Sequence, residues 1–495
     1  MNIKHIVFAL LLGAAANTAF AQQVPNAAAA RGPDPATLSE SQIAQVQSPG
    51  ALFHLASVYK EKGDLQRLAW TLVRLVALRP ETGDLKLALA TTYALQGEMA
   101  RTYDTLLAMQ KQGYGYDLTN DKNFAKVAGT KVWTYVVDGL KSNLNPFGEG
   151  KIAFTLPKGD TLFESIVFDP KREQFLVGSV REGKIYRVGK DGALQDFIAP
   201  GAENGLWSVY AMAADPERDA LYVASTASVY FKGFATADYG KAGVFKFSLS
   251  SGKLLEKYLL APDSQPRTLS SIAVGKNGQV FVADGLRNLI YRVDGNALKM
   301  MVENPHLTSV RGMAVSGDGK ILYFADYALG VFGVDLVAGK GFDFSYDRDK
   351  LVLGGIDGMA WYDNTLVVIE NGMSPHRVMR LTLDATGHKI LKAIPLEVAR
   401  PELSLPTYGT IDGDGFYFIA NSQKNAYGTY GTPRDDAKLA AVNVFRSNLR
   451  FAWNEEGIPT QHSMLPAQPV PLSSSKPGSG KFGNVDGGSQ SVTGN

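Results

Sequence analysis

One unit of sequence recurs six times between residues 165 and 421, and this repetition restricts the possible folds more than any other feature. Each copy has a short apolar strand, a polar turn and a second apolar strand, and a third strand follows most copies. The copies read SIVFDPKREQFLVGS (165–179), AMAADPERDALYVAS (211–225), SIAVGKNGQVFVAD (271–284), GMAVSGDGKILYFAD (312–326), GMAWYDNTLVVIEN (358–371) and GTIDGDGFYFIAN (409–421). Since a β-sandwich does not repeat one unit six times, the pattern predicts a six-bladed β-propeller over residues 150–458.

A helical segment precedes the propeller, so the predicted fold class is mainly β with an N-terminal α domain. Residues 36–130 carry helical periodicity, and the stretches 49–80 and 83–113 are similar at a spacing of 34 residues. The matching pairs are Tyr59 with Tyr93 and Gly63 with Gly97. This pattern resembles a short tetratricopeptide repeat (TPR). Such a repeat implies a concave face for a protein partner, although a block this short could equally serve to cap the propeller.

The strand pattern KIAFTLPK, residues 151–158, stands before the first unit. It is expected to complete the last blade and so close the ring of blades. The closure would join a strand from the start of the propeller to strands from its end, as propeller rings require.

The two ends of the chain differ from the rest in composition. The first residues, MNIKHIVFALLLGAAANTAFAQQ, combine a basic start, an apolar run and a small-x-small cleavage site at Ala19-Phe20-Ala21. They predict a signal peptide over residues 1–21 and a periplasmic or secreted protein. No later stretch reaches about 18 apolar residues, so no membrane span is predicted. The Pro-, Gly- and Ser-rich residues 463–495 are expected to be a disordered tail.

The composition excludes several classes of function. The chain has no cysteine, which rules out disulfides, a thiolate nucleophile and Cys-ligated zinc. Its 50 basic and 48 acidic residues give a formal charge of +2, which argues against a nucleic-acid partner. No G-x-S-x-G, H-E-x-x-H or P-loop motif is present.

Six polar or aromatic residues share one position just before the innermost strand of each predicted blade. They are Glu164, Tyr210, Ser270, Arg311, Asp357 and Thr407. Buried polar groups need partners, so six such positions at one depth predict a polar site on the axis of the ring. Blades one and four lie opposite each other and blade five lies next to blade four, which puts Arg311 between Glu164 and Asp357.

Three stretches carry a resemblance to a known family. FESIVFDPKREQFLVGSVREGKIYRV, VRGMAVSGDGKILYFAD and IDGMAWYDNTLVVIENG together resemble the SMP-30/gluconolactonase/LRE-like propellers, and the likeness covers about residues 150–455. The resemblance implies lactone hydrolysis with a divalent cation, commonly calcium, on the axis. Glu164 matches the acidic metal ligand of the first blade. Asp357 matches the Asp of the D-G-M turn, a metal ligand and the proposed base for water.

Arg311 departs from this pattern, because the family has an Asn ligand where this chain has VRGMAV. An arginine offers only donors and a fixed positive charge, whereas calcium needs six to eight oxygens. Two hypotheses follow. In the first, Glu164 and Asp357 hold a metal, Asp357 is the general base, and Arg311 binds an anionic group of the substrate. In the second, Glu164, Arg311 and Asp357 form a buried salt-bridged cluster in which Arg311 replaces the metal. The protein would then be a non-catalytic scaffold that binds a small molecule, such as a lactone or carboxylate, or a protein partner. Tyr210, Ser270 and Thr407 are candidate substrate-binding residues in both.

A second set of polar residues ends the second strand of each unit: Ser179, Ser225, Asp284, Asp326, Asn371 and Asn421. Turn formation explains most of them. If these residues face the channel instead, Asp326 and Asn371 would be extra ligands. Long insertions in blade two (226–243) and blade six (428–438) are expected near a channel mouth.

Overall fold

The computed structural model describes residues 37–263, 265–434 and 437–451 of the 495-residue chain. The predicted signal peptide, residues 1–21, and the predicted tail, residues 463–495, lie outside the described residues, and both stay predictions. Within the part of the chain that is described, no helix is both long and apolar enough to span a membrane.

Six antiparallel sheets of four strands each form the blades of a propeller, which confirms the predicted six-bladed fold. Blade one contains β2 (Phe163–Asp169), β3 (Gln174–Ser179), β4 (Ile185–Val188) and β5 (Leu194–Ile198); blade two contains β6 (Ser208–Asp215), β7 (Ala220–Thr226), β8 (Ala242–Ser248) and β9 (Leu254–Leu259). Blade three contains β10 (Leu269–Val274), β11 (Val280–Asp284), β12 (Leu289–Asp294) and β13 (Ala297–Glu303); blade four contains β14 (Val310–Val315), β15 (Ile321–Asp326), β16 (Gly330–Asp335) and β17 (Lys340–Asp343). Blade five contains β18 (Ile356–Tyr362), β19 (Thr365–Glu370), β20 (Arg377–Leu383) and β21 (Ile390–Val398).

The sixth blade closes the ring with strands from both ends of the propeller. It contains β1 (Lys151–Leu156), β22 (Gly409–Asp412), β23 (Gly415–Ile419) and β24 (Val442–Asn448). The strand order is β1-β24-β23-β22, and β1 pairs antiparallel with β24. The expectation that residues 151–158 supply the closing strand is therefore confirmed.

Local sequence explains the hairpins that position the innermost strands. Between β18 and β19, Asp363 and Asn364 both have positive φ, 43° and 58°. Two such residues match the type I′ turn, whose twist fits an antiparallel hairpin. The apolar faces of neighbouring blades pack on each other, for example Phe281 of blade three with Met313 and Leu322 of blade four.

A β-bulge interrupts the innermost strand in blades one to five, and each bulge contains a residue that the sequence placed at the axis. These residues are Glu164, Tyr210, Ser270, Arg311 and Asp357. They were expected just before the strand, but they lie inside it, Tyr210 as its third residue and the other four as its second. A bulge leaves one residue without a ladder partner and turns its side chain out of the sheet. The same local irregularity thus aims five side chains at one end of the channel.

From residue 37 onward, six α-helices precede the propeller: α1 (Glu40–Ala44), α2 (Pro49–Lys62), α3 (Leu65–Leu78), α4 (Gly83–Gln96), α5 (Met99–Lys111) and α6 (Lys131–Ser142). The side chains of Ser48, Asp64 and Thr130 cap three of them at the N-terminus. Gly63 and Gly97, which the 34-residue spacing paired, both follow a helix in the left-handed conformation that favours glycine. The helices continue to Ser142, past the predicted boundary at residue 130.

The helical region packs on the loops around the start of β18. Tyr114 and Trp133 share an apolar cluster with Val352 and Met373, which come from the loops before β18 and after β19. Because Asp357 lies at the start of β18, the helices sit at the same end of the propeller as the bulge residues.

A buried carboxyl group links blade five to the closing blade. Glu397, on β21, accepts hydrogen bonds from the Gly150 N–H (2.9 Å) and the Ser447 hydroxyl (2.9 Å). The backbone at Gly150 lies so close to Glu397 that a Cβ at this position would overlap the Glu397 carboxyl group. Burial raises the pKa of Glu397 to about 7, against the opposing effects of the Ser447 hydrogen bond and the Arg400 charge.

Because the folded protein holds this proton more tightly than the unfolded chain, the free energy of unfolding should fall as pH rises from about 4.5 through 7. The loss should be about 1–3 kcal/mol, since one pKa unit corresponds to about 1.4 kcal/mol. We expect Glu397→Gln to remove this part of the pH dependence and the exposed Glu217→Gln to leave it, as measured by urea unfolding at pH 5 and pH 8. Equal pH dependence in wild type and Glu397→Gln would contradict this assignment.

Candidate functional site

Five side chains define the mouth of the channel at the helical end, which we call the axial mouth. They are Glu164, Arg311, Asp357, Tyr408 and Lys424. The carboxylates of Glu164 and Asp357 act electrostatically on each other and on Tyr408, and Lys424 acts on both carboxylates. The structure therefore brings together the three charged residues that the sequence placed on the axis, and adds Tyr408 and Lys424 to them.

An ion pair between neighbouring blades is the central contact of the axial mouth. The Arg311 Nη1 donates to Asp357 Oδ1 at 2.7 Å, and the Arg311 Nε donates to the Ser309 hydroxyl at 3.2 Å. The Arg311 guanidinium also lies over the Tyr327 ring, 4.5 Å from its centroid. The Asp357 side chain is only 8% exposed, whereas that of Arg311 is 30% exposed. The buried Asp357 therefore holds the Arg311 guanidinium on its inner side, and the outer side of the guanidinium faces the opening of the channel.

The second oxygen of Asp357 is also occupied by protein donors. Asp357 Oδ2 accepts from the Asn371 Nδ2 and from the Thr407 hydroxyl, both at 2.9 Å. Burial raises the pKa of the carboxyl, but the charges of Arg311 and Lys424 and the hydrogen bonds lower it by more, so the pKa lies below 3.8. Asp357 is an ionised, fully hydrogen-bonded carboxylate and a poor proton acceptor.

Glu164 lies in a different environment from Asp357. Its Oε1 accepts a short hydrogen bond from the Ser422 hydroxyl, and its bulge position puts it in blade one. Burial raises the pKa of Glu164 above the ordinary 4.5, and Lys424, Ser422 and Arg311 only partly oppose this effect. The sequence placed Arg311 between Glu164 and Asp357. Among the described residues, Arg311 forms a hydrogen bond with Asp357 and not with Glu164, which accepts a hydrogen bond from Ser422. The two carboxyl groups thus have pKa values shifted in opposite directions.

The remaining predicted site residues line the mouth in different ways. The Tyr210 hydroxyl donates to Ser228 at 2.9 Å, and the Ser270 hydroxyl donates to the Val310 carbonyl at 3.1 Å. In blade six, Tyr408 stands directly before the channel-lining Gly409, as Asp357 stands before Gly358 in blade five. Thr407 lies one residue earlier than the position predicted for it. The Tyr408 hydroxyl donates a short hydrogen bond to the Ser270 carbonyl, so its side chain reaches from blade six to blade three.

Below the mouth the channel narrows to a cavity of about 50 Å³. Residues from all six innermost strands line it, among them Ser165, Ala211, Ser271, Met313, Met359 and Gly409. A space of this size holds a few water molecules at most. A ligand larger than that must therefore lie in the mouth, above Tyr408, and not in the channel.

The residues of the axial mouth do not fit the calcium site that the family resemblance implies. Calcium needs several free oxygens, but Arg311, Asn371 and Thr407 occupy both oxygens of Asp357. Arg311 also brings a positive charge to the position where the cation would lie. Within residues 37–263, 265–434 and 437–451, no group of three or more acidic, His or Cys side chains could hold a metal ion.

The second set of polar residues separates into turn residues and site residues. Asp326 accepts from the backbone N–H groups of Thr308, Ser309 and Ala328, which is turn chemistry. Asn371 instead bonds Asp357 and accepts from the Tyr327 hydroxyl at 2.8 Å, so it belongs to the axial mouth.

Sequence reasoning missed Ser422, Lys424, Tyr327 and Tyr408. All four follow or precede a repeat unit by only one to three residues. This closeness to the repeat units was the signal that could have identified them, because loop residues next to the end of a unit lie near the mouth of the channel.

The two insertions meet over the Glu164 side of the mouth. The Tyr230 ring of the blade-two insertion packs on the Tyr427 ring of blade six, with centroids 6.3 Å apart. A Cβ at Gly431 would overlap the backbone of Val229 and Tyr230. Burial chiefly raises the pKa of the Tyr230 hydroxyl, and the Glu164 carboxylate adds to it. The insertions therefore lie near the mouth, in the part of blade six that the structure describes.

No family model matches the chain, and no curated protein matches it. Solved propellers are similar to it in structure. A gluconolactonase from Xanthomonas campestris is 13% identical over 59% of this chain and 88% of its own, with a TM-score of 0.39. A PQQ-bound aldose sugar dehydrogenase from Streptomyces coelicolor is 17% identical over 61% and 99%, with a TM-score of 0.38. A virginiamycin B lyase from Staphylococcus aureus is 13% identical over 60% and 99%, with a TM-score of 0.37. At such low identities and TM-scores, these similarities say nothing about a ligand or an activity of this chain.

The ion pair predicts an energetic coupling that a double-mutant cycle can measure. Either Arg311→Gln or Asp357→Asn leaves one buried charge without its partner, so each should destabilise the protein by about 1–3 kcal/mol. The double variant should lose less than the sum of the two, with a coupling of about 1–3 kcal/mol in urea unfolding. Additive losses would show that the two side chains do not interact in solution. The same cycle with Lys299 and Asp294, an exposed pair, should give a coupling near zero.

Proposed function

We propose that the axial mouth binds a small molecule through a carboxylate or a similar anionic group. The observation that carries this proposal is the orientation of Arg311, which is held by Asp357 at one nitrogen and exposed toward the opening at the other side. Among the described residues, none accepts a hydrogen bond from the Arg311 Nη2. A guanidinium with free donors on one edge is the standard protein partner of a carboxylate.

The charge of the mouth supports the same ligand class. Asp357 balances the charge of Arg311, and burial raises the pKa of Glu164 above its ordinary 4.5. Lys424 is exposed and, in the described part of the chain, forms no ion pair. When Glu164 is protonated, the mouth carries the net positive charge of Lys424, and the Glu164 carboxyl can donate a hydrogen bond to a bound carboxylate oxygen.

We expect simple carboxylates, with acetate and gluconate as first probes, to bind the wild-type protein in isothermal titration calorimetry. Arg311→Gln should weaken the binding about 10- to 100-fold, since it removes one charge-assisted contact. Arg292→Gln is the matched control, because Arg292 is exposed on an outer strand of blade three. Equal affinities in wild type and Arg311→Gln would overturn the proposal.

Lactone hydrolysis is a second candidate, and the opposite pKa shifts of the two carboxyl groups favour it. Paired carboxyls with separated pKa values are typical of acid–base sites. The better proton acceptor of the pair is Glu164, whose pKa burial raises above its ordinary 4.5, and not Asp357, the base that the family resemblance implies. Glu164 would accept a proton from the attacking water, while Arg311 and Lys424 would face the developing oxyanion.

A panel of aldonolactones tests this candidate. If the protein hydrolyses a lactone, the rate should rise with pH as Glu164 ionises, above its ordinary 4.5, and Glu164→Gln should lower kcat at least 100-fold. Glu303→Gln, an exposed glutamate of β13, should leave the rate unchanged. Full activity in Glu164→Gln, or turnover of no lactone in the panel, would remove this candidate.

A further inference from the structure

The Tyr408 side chain crosses the channel of the propeller from one side to the other. Tyr408 stands directly before β22 in blade six, and its hydroxyl donates a short hydrogen bond to the Ser270 carbonyl in β10 of blade three. The innermost strands contact each other in the order of the blades, and the sixth contacts the first, so blade six lies opposite blade three. A side chain that joins opposite blades must pass through the channel between them.

The backbone end of Tyr408 is held beside Asp357 of blade five. The Thr407 hydroxyl, one residue before Tyr408, donates to Asp357 Oδ2 at 2.9 Å. A Cβ placed on Gly358, the residue after Asp357, would lie 3.4 Å from the Tyr408 Cα. The Tyr408 side chain therefore begins next to the strand that carries Asp357.

The hydroxyl end of Tyr408 is held beside blade four. Its hydrogen-bond acceptor, Ser270, lies in the bulge of β10 and donates its own hydroxyl to the Val310 carbonyl at 3.1 Å. Val310 directly precedes Arg311 in β14. Both ends of the Tyr408 side chain are thus anchored at the level of the ion pair between Arg311 and Asp357.

The cavity of about 50 Å³ lies on the inner side of Tyr408. Tyr408 lines this cavity together with Met313 and Met359. These two methionines stand two residues further along their innermost strands than Arg311 and Asp357, which corresponds to roughly 6 Å along the channel. The ion pair therefore lies above the Tyr408 ring, and the cavity extends below it.

We propose that Tyr408 sets the depth of the axial mouth and so determines which part of a ligand the site contacts. The inference rests on the anion site proposed above. A carboxylate held at Arg311 has the Tyr408 ring beneath it, so the rest of the ligand has to leave through the opening of the mouth. This arrangement suits a carboxylate carried by a body wider than the channel, such as the ring of a uronic acid. It excludes a binding mode in which a straight chain runs down the channel.

Two six-carbon sugar acids of equal charge test the proposal by isothermal titration calorimetry on the full chain. Gluconate is a straight chain that could enter an open channel, whereas glucuronate closes into a ring that could not. Tyr408→Ala joins the mouth to the cavity and its lining serines, such as Ser271. The affinity of gluconate relative to glucuronate should then rise at least about tenfold over the wild-type ratio, as one or two added hydrogen bonds would give. Tyr408→Phe keeps the ring and should leave the ratio unchanged.

The ratio of two affinities does not respond to a general loss of stability, so it separates a selective role of Tyr408 from a structural one. Tyr135→Ala removes an exposed tyrosine of α6 and is the matched control, which should change neither affinity. If both acids bind through Arg311 but the ratio is the same in wild type and Tyr408→Ala, Tyr408 does not set the depth and the anion site stands. If neither acid binds, or Arg311→Gln leaves both affinities unchanged, the anion site is wrong and this inference falls with it.

A crystal structure of the wild-type protein soaked with gluconate tests the proposal without relying on the folding of Tyr408→Ala. The sugar chain should lie above the Tyr408 ring with its carboxylate at Arg311. Gluconate carbon atoms below the ring, in the cavity beside Met313, would overturn the proposal.

Discussion

The ion pair between Arg311 and Asp357 determines what the axis of this propeller can do. A carboxylate buried at the mouth of a narrow channel needs a positive partner, and a bound cation or an arginine can supply it. Here the partner is a side chain with a fixed charge, held by Asp357 and stacked on Tyr327. Both oxygens of Asp357 are hydrogen-bonded within the protein, so this carboxylate is not free to bind a ligand. The group that remains exposed to a ligand is the outer edge of the Arg311 guanidinium. The anion site proposed above rests on this arrangement.

The fold delivers these side chains through a repeated irregularity. A bulge near the start of five innermost strands turns one residue of each toward the axis, and the closing pairing of β1 with β24 keeps the blades in register around it. The loops at the same end then complete the mouth. Ser422 and Lys424 come from blade six, Asn371 from blade five, and the helical region adds its own wall through Glu81, which accepts a hydrogen bond from the Leu353 N–H.

Much of the fold follows from the sequence, because strand units that recur six times leave few alternatives and the strand KIAFTLPK has only one blade to complete. The pairing of Arg311 with Asp357 also follows, since neighbouring blades place equivalent residues side by side. Two features do not follow. The position of Tyr408 depends on a one-residue register in blade six, and the environment of Glu164 depends on Ser422 from a distant loop. Each is set by tertiary packing, which local pattern does not encode.

The most direct test of the account is a crystal structure of the full chain, soaked with calcium and 4-bromobenzoate together and recorded at the bromine absorption edge. The account predicts bromine beside Arg311 in the axial mouth, with the Arg311–Asp357 ion pair intact and no metal between Glu164 and Asp357. Calcium bound between those two carboxylates, with the Arg311 side chain displaced from Asp357, would contradict it.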